Sequence, residues 1–111
     1  MTPLRALLER RNGALLMGVV NRTPDSFSDG GAMLDDEAAM TAVAEMIDAG
    51  ASIVDVGAES TRPGAPVVPD EEQIRRLGRI VGKIAARSVV SIDTTSVRVA
   101  ERAIDDGASI V

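Results

Sequence analysis

The pentapeptide GASIV occupies residues 50–54 and recurs letter for letter at residues 107–111. Each copy follows a segment of helical periodicity that ends in acidic residues, Asp48 before the first copy and Asp105 and Asp106 before the second. A glycine after a helix, followed by β-branched residues, is typical of the joint between a helix and a strand. The repeat therefore indicates a chain built from successive β/α units.

Four short aliphatic runs indicate the strands of these units. They are nearly continuous in apolar residues, as parallel strands buried on both faces require, and they span residues 14–20, 52–56, 88–92 and 108–111. Amphipathic segments lie between them. The first is expected to begin at residues 35–37, the second at Asp70 with Gln73 completing a capping box, and the third at Ser96. The second segment is expected to run as one helix through Ile84.

Right-handed crossovers would make these strands parallel, and two α/β folds then compete. One is an open doubly wound sheet, and the other is a segment of a closed eight-stranded barrel. A complete barrel takes about 250 residues, whereas the 111 residues of this chain reach only a fourth strand. Under the barrel interpretation, the chain would be cut after that strand.

The composition excludes several classes of site and partner. The chain contains no His and no Cys, so a Ser-His-Asp triad, a thiolate nucleophile and a His- or Cys-ligated metal are excluded. Twelve Lys and Arg against seventeen Asp and Glu give a net charge of −5, which argues against nucleic acid or anionic lipid as a partner. No apolar run reaches the roughly 18 residues of a membrane span, and no secretory signal is evident. We expect a cytoplasmic protein that does not contact membranes.

Polar segments follow each of the first three predicted strands. They comprise residues 21–31, 57–64 and 93–96. In both candidate folds, ligands bind beyond the carboxyl ends of the parallel strands. The convergence of three polar segments at one edge of the sheet predicts the binding site there.

Individual residues in these segments suit an anionic ligand with a flat heterocycle. Arg62 offers a planar donor fork for a phosphate or carboxylate, with the Thr61 hydroxyl beside it, although a turn with a solvated arginine is the alternative. Asp93 would accept two hydrogen bonds from an amino-substituted heterocycle, or it would cap the next helix. The Asn21 amide oxygen would ligate a hard cation such as Mg²⁺, or it would form a turn. Phe27, the single aromatic residue, would stack on a substrate or pin its loop.

Two long stretches resemble the motifs of the dihydropteroate synthase family. They are MGVVNRTPDSFSDGG at residues 17–31 and DVGAESTRPGA at residues 55–65, and SIDT at residues 91–94 is similar to the family's next segment. The resemblance implies the first half of a (β/α)8 TIM barrel, with residues 1–111 as the N-terminal portion of one pterin-binding domain. It also implies a transferase of folate biosynthesis. Such an enzyme condenses p-aminobenzoate with 6-hydroxymethyl-7,8-dihydropterin diphosphate, giving 7,8-dihydropteroate and pyrophosphate.

The resemblance further implies a cofactor, partners and roles for particular residues. Asn21 would contact Mg²⁺ and the diphosphate, Thr61 would contact the pterin substrate, and Asp93 would hold the pterin ring. The residues implied on the p-aminobenzoate side are Phe27, Asp29, Ser60, Arg62 and Pro63. No catalytic nucleophile is implied, since a diphosphate leaving group needs charge neutralisation and positioning. The implied partners are the two small-molecule substrates and a second copy in a homodimer, and the implied enzyme is a sulfonamide target.

Three positions depart from the family's pattern and keep alternatives open. Arg22 stands where Val is usual, Ala58 where a second Gly is usual, and Thr95 where a larger residue is common. Arg22 would place an extra charge beside the site, which favours a non-catalytic pterin-binding paralogue. An inactive fragment of the synthase is the other alternative, because later strands supply the rest of the site in the family. A related barrel that transfers a methyl group from a folate is disfavoured by residues 61–64 and 23–31.

Overall fold

The computed structural model describes residues 5, 9, 15–23, 35–59, 63, 64 and 66–111. Within these residues the elements follow in the order β1 (Leu16–Asn21), α1 (Asp36–Asp48), β2 (Ala51–Gly57), α2 (Asp70–Leu77), α3 (Ile80–Ala85), β3 (Val89–Asp93) and α4 (Val97–Asp105). The first three predicted strands are confirmed, with ends displaced by one or two residues. The fourth apolar run is present as a single parallel bridge between Ser91 and Ile110.

The sheet is parallel, and its strands lie in the order in which they occur along the chain. β2 pairs with β1 on one side and with β3 on the other, and Ile110 adds beyond β3. A doubly wound sheet would reverse its order partway, whereas each strand of a barrel lies beside the preceding one. The α/β expectation is therefore confirmed, and the strand order is that of the first part of a (β/α)8 barrel.

The helices pack on one face of this sheet and form a single core with it. Val20, Val56 and Ile92 are register partners on the three strands, and all three are buried. Each helix contributes to the same cluster, with buried residues Ala39, Val43, Leu77, Ile80, Val81, Ile84, Val99 and Ala103. The opposite face carries Met17 and Val19, whose exposed fractions are 50% and 53%. This second face corresponds to the interior of a barrel, because barrel helices form the outer ring.

Both copies of the GASIV repeat begin with a glycine in the left-handed region. Gly50 has φ of 108° and Gly107 has φ of 121°. Each glycine follows the last turn of a helix, where a side chain would be strained and glycine is not. The repeat is thus the recurring joint between a helix and the next strand, as the sequence predicts.

The helix starts agree with the sequence at two places and differ at one. The Asp35 carboxylate caps α1 by accepting the Ala38 N–H at 2.7 Å, and the Ser96 hydroxyl oxygen caps α4 by accepting the Val99 N–H at 3.2 Å. The predicted capping box at Asp70 and Gln73 is wrong. Residue 69, a proline, occupies the N-cap position without a side-chain cap, and the Gln73 side chain turns into the interior.

The expectation of one helix through Ile84 is also wrong, because the segment is broken at Gly78. This glycine has φ of 50° and ψ of −121°, and its N–H donates to the Ile74 carbonyl oxygen at 3.0 Å. The conformation ends α2 and lets α3 start in a new direction at Ile80.

None of the helices in the described ranges is both long enough and apolar enough to cross a membrane.

Candidate functional site

The three strands end in one row across the carboxyl edge of the sheet. Asn21 on β1 and Asp93 on β3 are both register partners of Gly57 on β2. Neighbouring strands are about 4.8 Å apart, so the Cα atoms of Asn21 and Asp93 lie about 10 Å apart. Both polar residues are exposed and Gly57 is buried. The Asn21 amide and the Asp93 carboxylate thus lie on either side of Gly57, which has no side chain.

The Asp93 carboxylate lies beside Gly57. A Cβ atom on Gly57 would lie 3.6 Å from the Asp93 Cβ and 3.8 Å from its Oδ2. Across the part of the chain that the structure describes, no hydrogen bond or ion pair engages this carboxylate. Its oxygens are therefore available to N–H donors of a ligand that lies over Gly57.

Two further layers lie below this row on the face that the helices do not cover. Val19, Asp55 and Ser91 form the next layer, and Met17, Ile53 and Val89 form the one below it. In a barrel, such layers fill the interior below the site. Asp55 was not singled out from the sequence as a site residue. Its signal is an acidic residue in the middle of a mostly apolar strand, and it lies on the inner face, two residues before Gly57 in the chain.

The Arg22 side chain does not point into this site. The expectation of an extra charge beside the site is therefore wrong. The Arg22 side chain is 4% exposed and lies on the helix side of the sheet, where Nη2 donates to Asp36 Oδ1 at 2.7 Å. Its Nε donates to the Arg76 carbonyl oxygen at 3.2 Å. The physical reason is strand alternation, because consecutive residues face opposite sides and Arg22 follows Asn21 directly.

Asp36 balances the buried arginine and a second cation. Its Oδ2 accepts a hydrogen bond from Lys83 Nζ at 3.0 Å, while Oδ1 accepts from Arg22. The hydrogen bond from Lys83, reinforced by the positive charges of Arg22 and Lys83, holds the pKa of the Asp36 carboxyl below its ordinary value. Partial burial opposes this effect. The charge of Arg22 is thus compensated on the outer side of the sheet.

The end of β2 is held by one hydrogen bond from the residue after β1 and by one from α2. The Arg22 backbone N–H donates to the Gly57 carbonyl oxygen at 2.7 Å, and Arg76 Nη1 donates to the Ala58 carbonyl oxygen at 3.0 Å. Arg76 is itself oriented by Glu72, at 3.2 Å from Nε. The hydrogen bond from Arg75, reinforced by a weaker contribution from Arg76, lowers the pKa of Glu72 to about 2. These contacts fix the backbone immediately before the segment that carries the predicted substrate residues.

The structure describes three of the eight predicted site residues. Asn21 and Asp93 share the row described above, and Pro63 is exposed in the connection after β2. The other five lie outside the described residues, and their roles stay predictions: Phe27, Asp29, Ser60, Thr61 and Arg62.

A resident metal would have few protein ligands at this edge. Among the residues that the structure describes, no group of three or more His, Cys, Asp or Glu could hold an ion. Asn21 offers one neutral amide oxygen. This donor set fits Mg²⁺ whose remaining ligands are waters and substrate phosphate oxygens, an arrangement that Mg²⁺ commonly adopts.

Comparison with known proteins identifies the class to which this fold and site belong. The family described as pterin binding enzyme matches residues 17–111, and the chain belongs to that family. Within it, the chain is 51% identical over 98 residues to a dihydropteroate synthase of Clostridium beijerinckii, covering 86% of this chain and 36% of that protein. It is 43% identical over 106 residues to the dihydropteroate synthase of Bacillus subtilis, covering 94% of this chain and 37% of that protein. The chain therefore spans somewhat over a third of the length of these relatives.

Solved structures of the same class share the fold. A dihydropteroate synthase from Clostridium difficile, in the presence of pteroic acid, superposes with a TM-score of 0.78 at 41% identity, covering 86% of this chain and 37% of that one. The Xanthomonas albilineans enzyme with 4-aminobenzoic acid gives 0.74 at 43% identity, covering 85% and 36%. The Yersinia pestis enzyme in a sulfonamide drug complex gives 0.76 at 40% identity, covering 85% and 35%. These values extend the agreement from sequence motifs to backbone geometry.

Proposed function

We propose that the protein carrying this chain is a dihydropteroate synthase of folate biosynthesis. It would condense p-aminobenzoate with 6-hydroxymethyl-7,8-dihydropterin diphosphate and release pyrophosphate. The observation that carries this proposal is the row of Asn21, Gly57 and Asp93 at the carboxyl edge of a parallel sheet. The chain would supply the N-terminal portion of the pterin-binding barrel.

Asp93 and Gly57 would hold the pterin ring. The ring's amino group and adjacent ring N–H are donors, and an ionised carboxylate accepts two such hydrogen bonds well. The Asp93 carboxylate stands beside Gly57, where the absence of a side chain would let a flat heterocycle lie against the backbone. Support comes from the Clostridium difficile enzyme, whose structure was determined with pteroic acid.

Asn21 and Thr61 would serve the diphosphate end of the same substrate. The Asn21 amide oxygen would hold Mg²⁺ together with substrate oxygens and waters. When bound, this ion would neutralise charge that develops on the leaving diphosphate. The Thr61 hydroxyl would donate to the pterin substrate. No step requires a protein nucleophile, in keeping with a chain that has no His and no Cys.

The second substrate would enter on the side of the two connecting segments. Arg62 would pair with the carboxylate of p-aminobenzoate, for which a guanidinium fork is well suited. Phe27, Asp29, Ser60 and Pro63 would line the same side. The Xanthomonas albilineans enzyme with 4-aminobenzoic acid and the Yersinia pestis enzyme with a sulfonamide support this assignment and sulfonamide binding. We further propose a cytoplasmic homodimer.

The position of Arg22 gives no support to a non-catalytic paralogue. The Arg22 side chain is buried against Asp36 and Arg76 on the outer layer, so its charge is held on the side of the sheet away from the site. The synthase is therefore the function that we propose for the whole protein, and the 111 residues alone are expected to be inactive.

Product formation by the protein as its gene encodes it tests the proposal. The protein is incubated with p-aminobenzoate, the pterin diphosphate and Mg²⁺, and dihydropteroate and pyrophosphate are measured together. We expect equimolar products and a loss of at least about tenfold in kcat/KM for Asp93→Ala, since a charge-assisted hydrogen bond contributes about that factor. Asp48→Ala, at the opposite edge, is the matched control. A folded protein that forms no product would contradict the proposal.

A further inference from the structure

We propose that Gln73 is a positioning residue for both substrate sides of the site. This inference rests on the proposed function. Gln73 lies on α2, outside the row at the sheet edge, and is 3% exposed. Its amide joins the segment that follows β2 to the segment that follows β3, and no side chain of the row itself makes such a connection in the part of the chain that the structure describes.

Both ends of the Gln73 amide are engaged. Nε2 donates to the Val68 carbonyl oxygen at 2.9 Å, and Oε1 accepts from the Thr94 hydroxyl at 3.3 Å. A buried amide is costly to desolvate unless both ends are satisfied. An apolar side chain of similar size would fill this buried position without this cost. The two hydrogen bonds are therefore the reason that an amide suits this position.

In the connection after β2, the Gln73 amide holds Val68, whose backbone makes two hydrogen bonds with side chains. The Val68 N–H donates to Glu59 Oε2 at 2.7 Å, and the Val68 carbonyl oxygen accepts from Gln73. Glu59 follows β2 closely, and Val68 precedes α2. In the sequence these two residues bracket the stretch from Ser60 to Pro63, which carries the predicted p-aminobenzoate residues. Gln73 thus restrains the chain just before α2, at the far end of the connection that begins at Glu59.

On the side of β3, the amide holds the residue next to Asp93. The Thr94 hydroxyl donates to Gln73 and accepts from the Ser96 N–H at 3.1 Å. Thr94 is thereby held from two directions immediately after the strand ends. Since Asp93 is joined directly to Thr94, this hydroxyl restrains the backbone on one side of Asp93.

The hydrogen bonds form a continuous path between the two segments. It runs from Glu59 through Val68 and Gln73 to Thr94 and Ser96. A small displacement of a binding group weakens its hydrogen bonds to a substrate, because these bonds depend steeply on distance and angle. Loss of the amide would let the two sides move independently and would weaken the binding of both substrates.

Steady-state kinetics of the protein as its gene encodes it, supplied with both substrates, tests this inference. For Gln73→Leu and Gln73→Met, we expect KM for each substrate to rise about fivefold per lost hydrogen bond, with kcat per folded molecule largely kept. Thr94→Val should raise KM for the pterin diphosphate more than KM for p-aminobenzoate. Thr94→Ser, which keeps the hydroxyl, should restore both values.

Ser88→Ala is the control for a merely structural effect. The Ser88 hydroxyl donates to the Ser52 carbonyl oxygen at 3.3 Å at the opposite edge of the sheet. This variant should lower thermal stability and leave both KM values unchanged. An active Gln73→Leu variant that behaves in the same way would overturn the inference alone. Absence of product from the unsubstituted protein would overturn the proposed function, and this inference with it.

Discussion

The Asp93 carboxylate lies beside Gly57, with Oδ2 3.8 Å from the point where a Gly57 Cβ would stand. The distance is an ordinary van der Waals contact, so a methyl group fits without moving the carboxylate. It would nevertheless fill part of the space between Asn21 and Asp93 that we assign to the pterin ring. A side chain at Gly57 is therefore compatible with the fold but not with the proposed position of the ring.

Gly57→Ala should therefore fold and bind the pterin substrate poorly. We expect the free energy of unfolding to change by less than about 1 kcal/mol and the Kd for the pterin diphosphate to rise. Gly82→Ala is a matched control, since its Cβ would also meet an ordinary contact, 3.5 Å from the Asp106 carbonyl oxygen, on the outer layer. Equal pterin affinity in the two variants would argue against a ring over Gly57.

The buried pair of Arg22 and Asp36 should contribute mainly to stability. Arg22→Ala removes a 4%-exposed guanidinium that donates to Asp36 and to the Arg76 carbonyl oxygen, and we expect a loss of about 2 kcal/mol in the free energy of unfolding. Lys83→Ala, at the more exposed end of the same carboxylate, should cost less than about 1 kcal/mol. Urea titration of both variants measures the difference. A larger loss for Lys83→Ala would contradict this assignment of the charges.

Stability should fall in acid because two carboxyl groups have lowered pKa values in the folded protein. Glu72 has a pKa of about 2 against an ordinary value of 4.5, and the pKa of Asp36 lies below its ordinary 3.8. Below these ordinary values the unfolded chain binds more protons, so the stabilisation is complete above about pH 4.5 and is lost as pH falls toward about 2. Urea titrations across this range measure it. Glu72→Gln and Asp36→Asn should each flatten the profile, and an unchanged slope in both would refute the prediction.

The two glycines of the GASIV repeat should differ in how much a side chain destabilises the fold. Alanine is strained at both, since φ is 108° at Gly50 and 121° at Gly107. At Gly107 the added Cβ would also lie 2.8 Å from the Ala85 Cβ, whereas at Gly50 the nearest atom is Leu16 Cδ1 at 3.5 Å. We expect losses of about 1 kcal/mol for Gly50→Ala and clearly more for Gly107→Ala. Thermal unfolding would contradict this if it reversed the order.

The strands and two helix starts could be predicted because their causes are local. Apolar runs between polar segments are sufficient to place β1 to β3, and Asp35 and Ser96 cap their helices through residues three positions away. The row of Asn21 and Asp93 follows from the same reasoning, since both end a strand in a parallel sheet. Strand alternation could also have shown that Arg22 and Asn21 face opposite sides.

The surroundings of α2 could not be predicted because their causes lie far away in the sequence. The spacing of Asp70 and Gln73 fits a capping box, but Pro69 takes the cap position and Gln73 bonds to Thr94, 21 residues away. From the sequence alone, Gly78 could lie inside a helix. Its positive φ, which ends α2, depends on how the two helices pack. The partners of Arg22, on α1 and α2, likewise depend on how the helices pack on the sheet.

Binding of the pterin diphosphate to the protein as its gene encodes it tests the central claim most directly. Isothermal titration with Mg²⁺ present gives the Kd for the unsubstituted protein, for Asp93→Asn and for the control Asp48→Asn. The row at the carboxyl edge predicts that Asp93→Asn raises the Kd at least about tenfold, since a charge-assisted hydrogen bond is lost, while Asp48→Asn leaves it unchanged. Equal affinity in all three proteins would contradict the assignment of this edge as the pterin site.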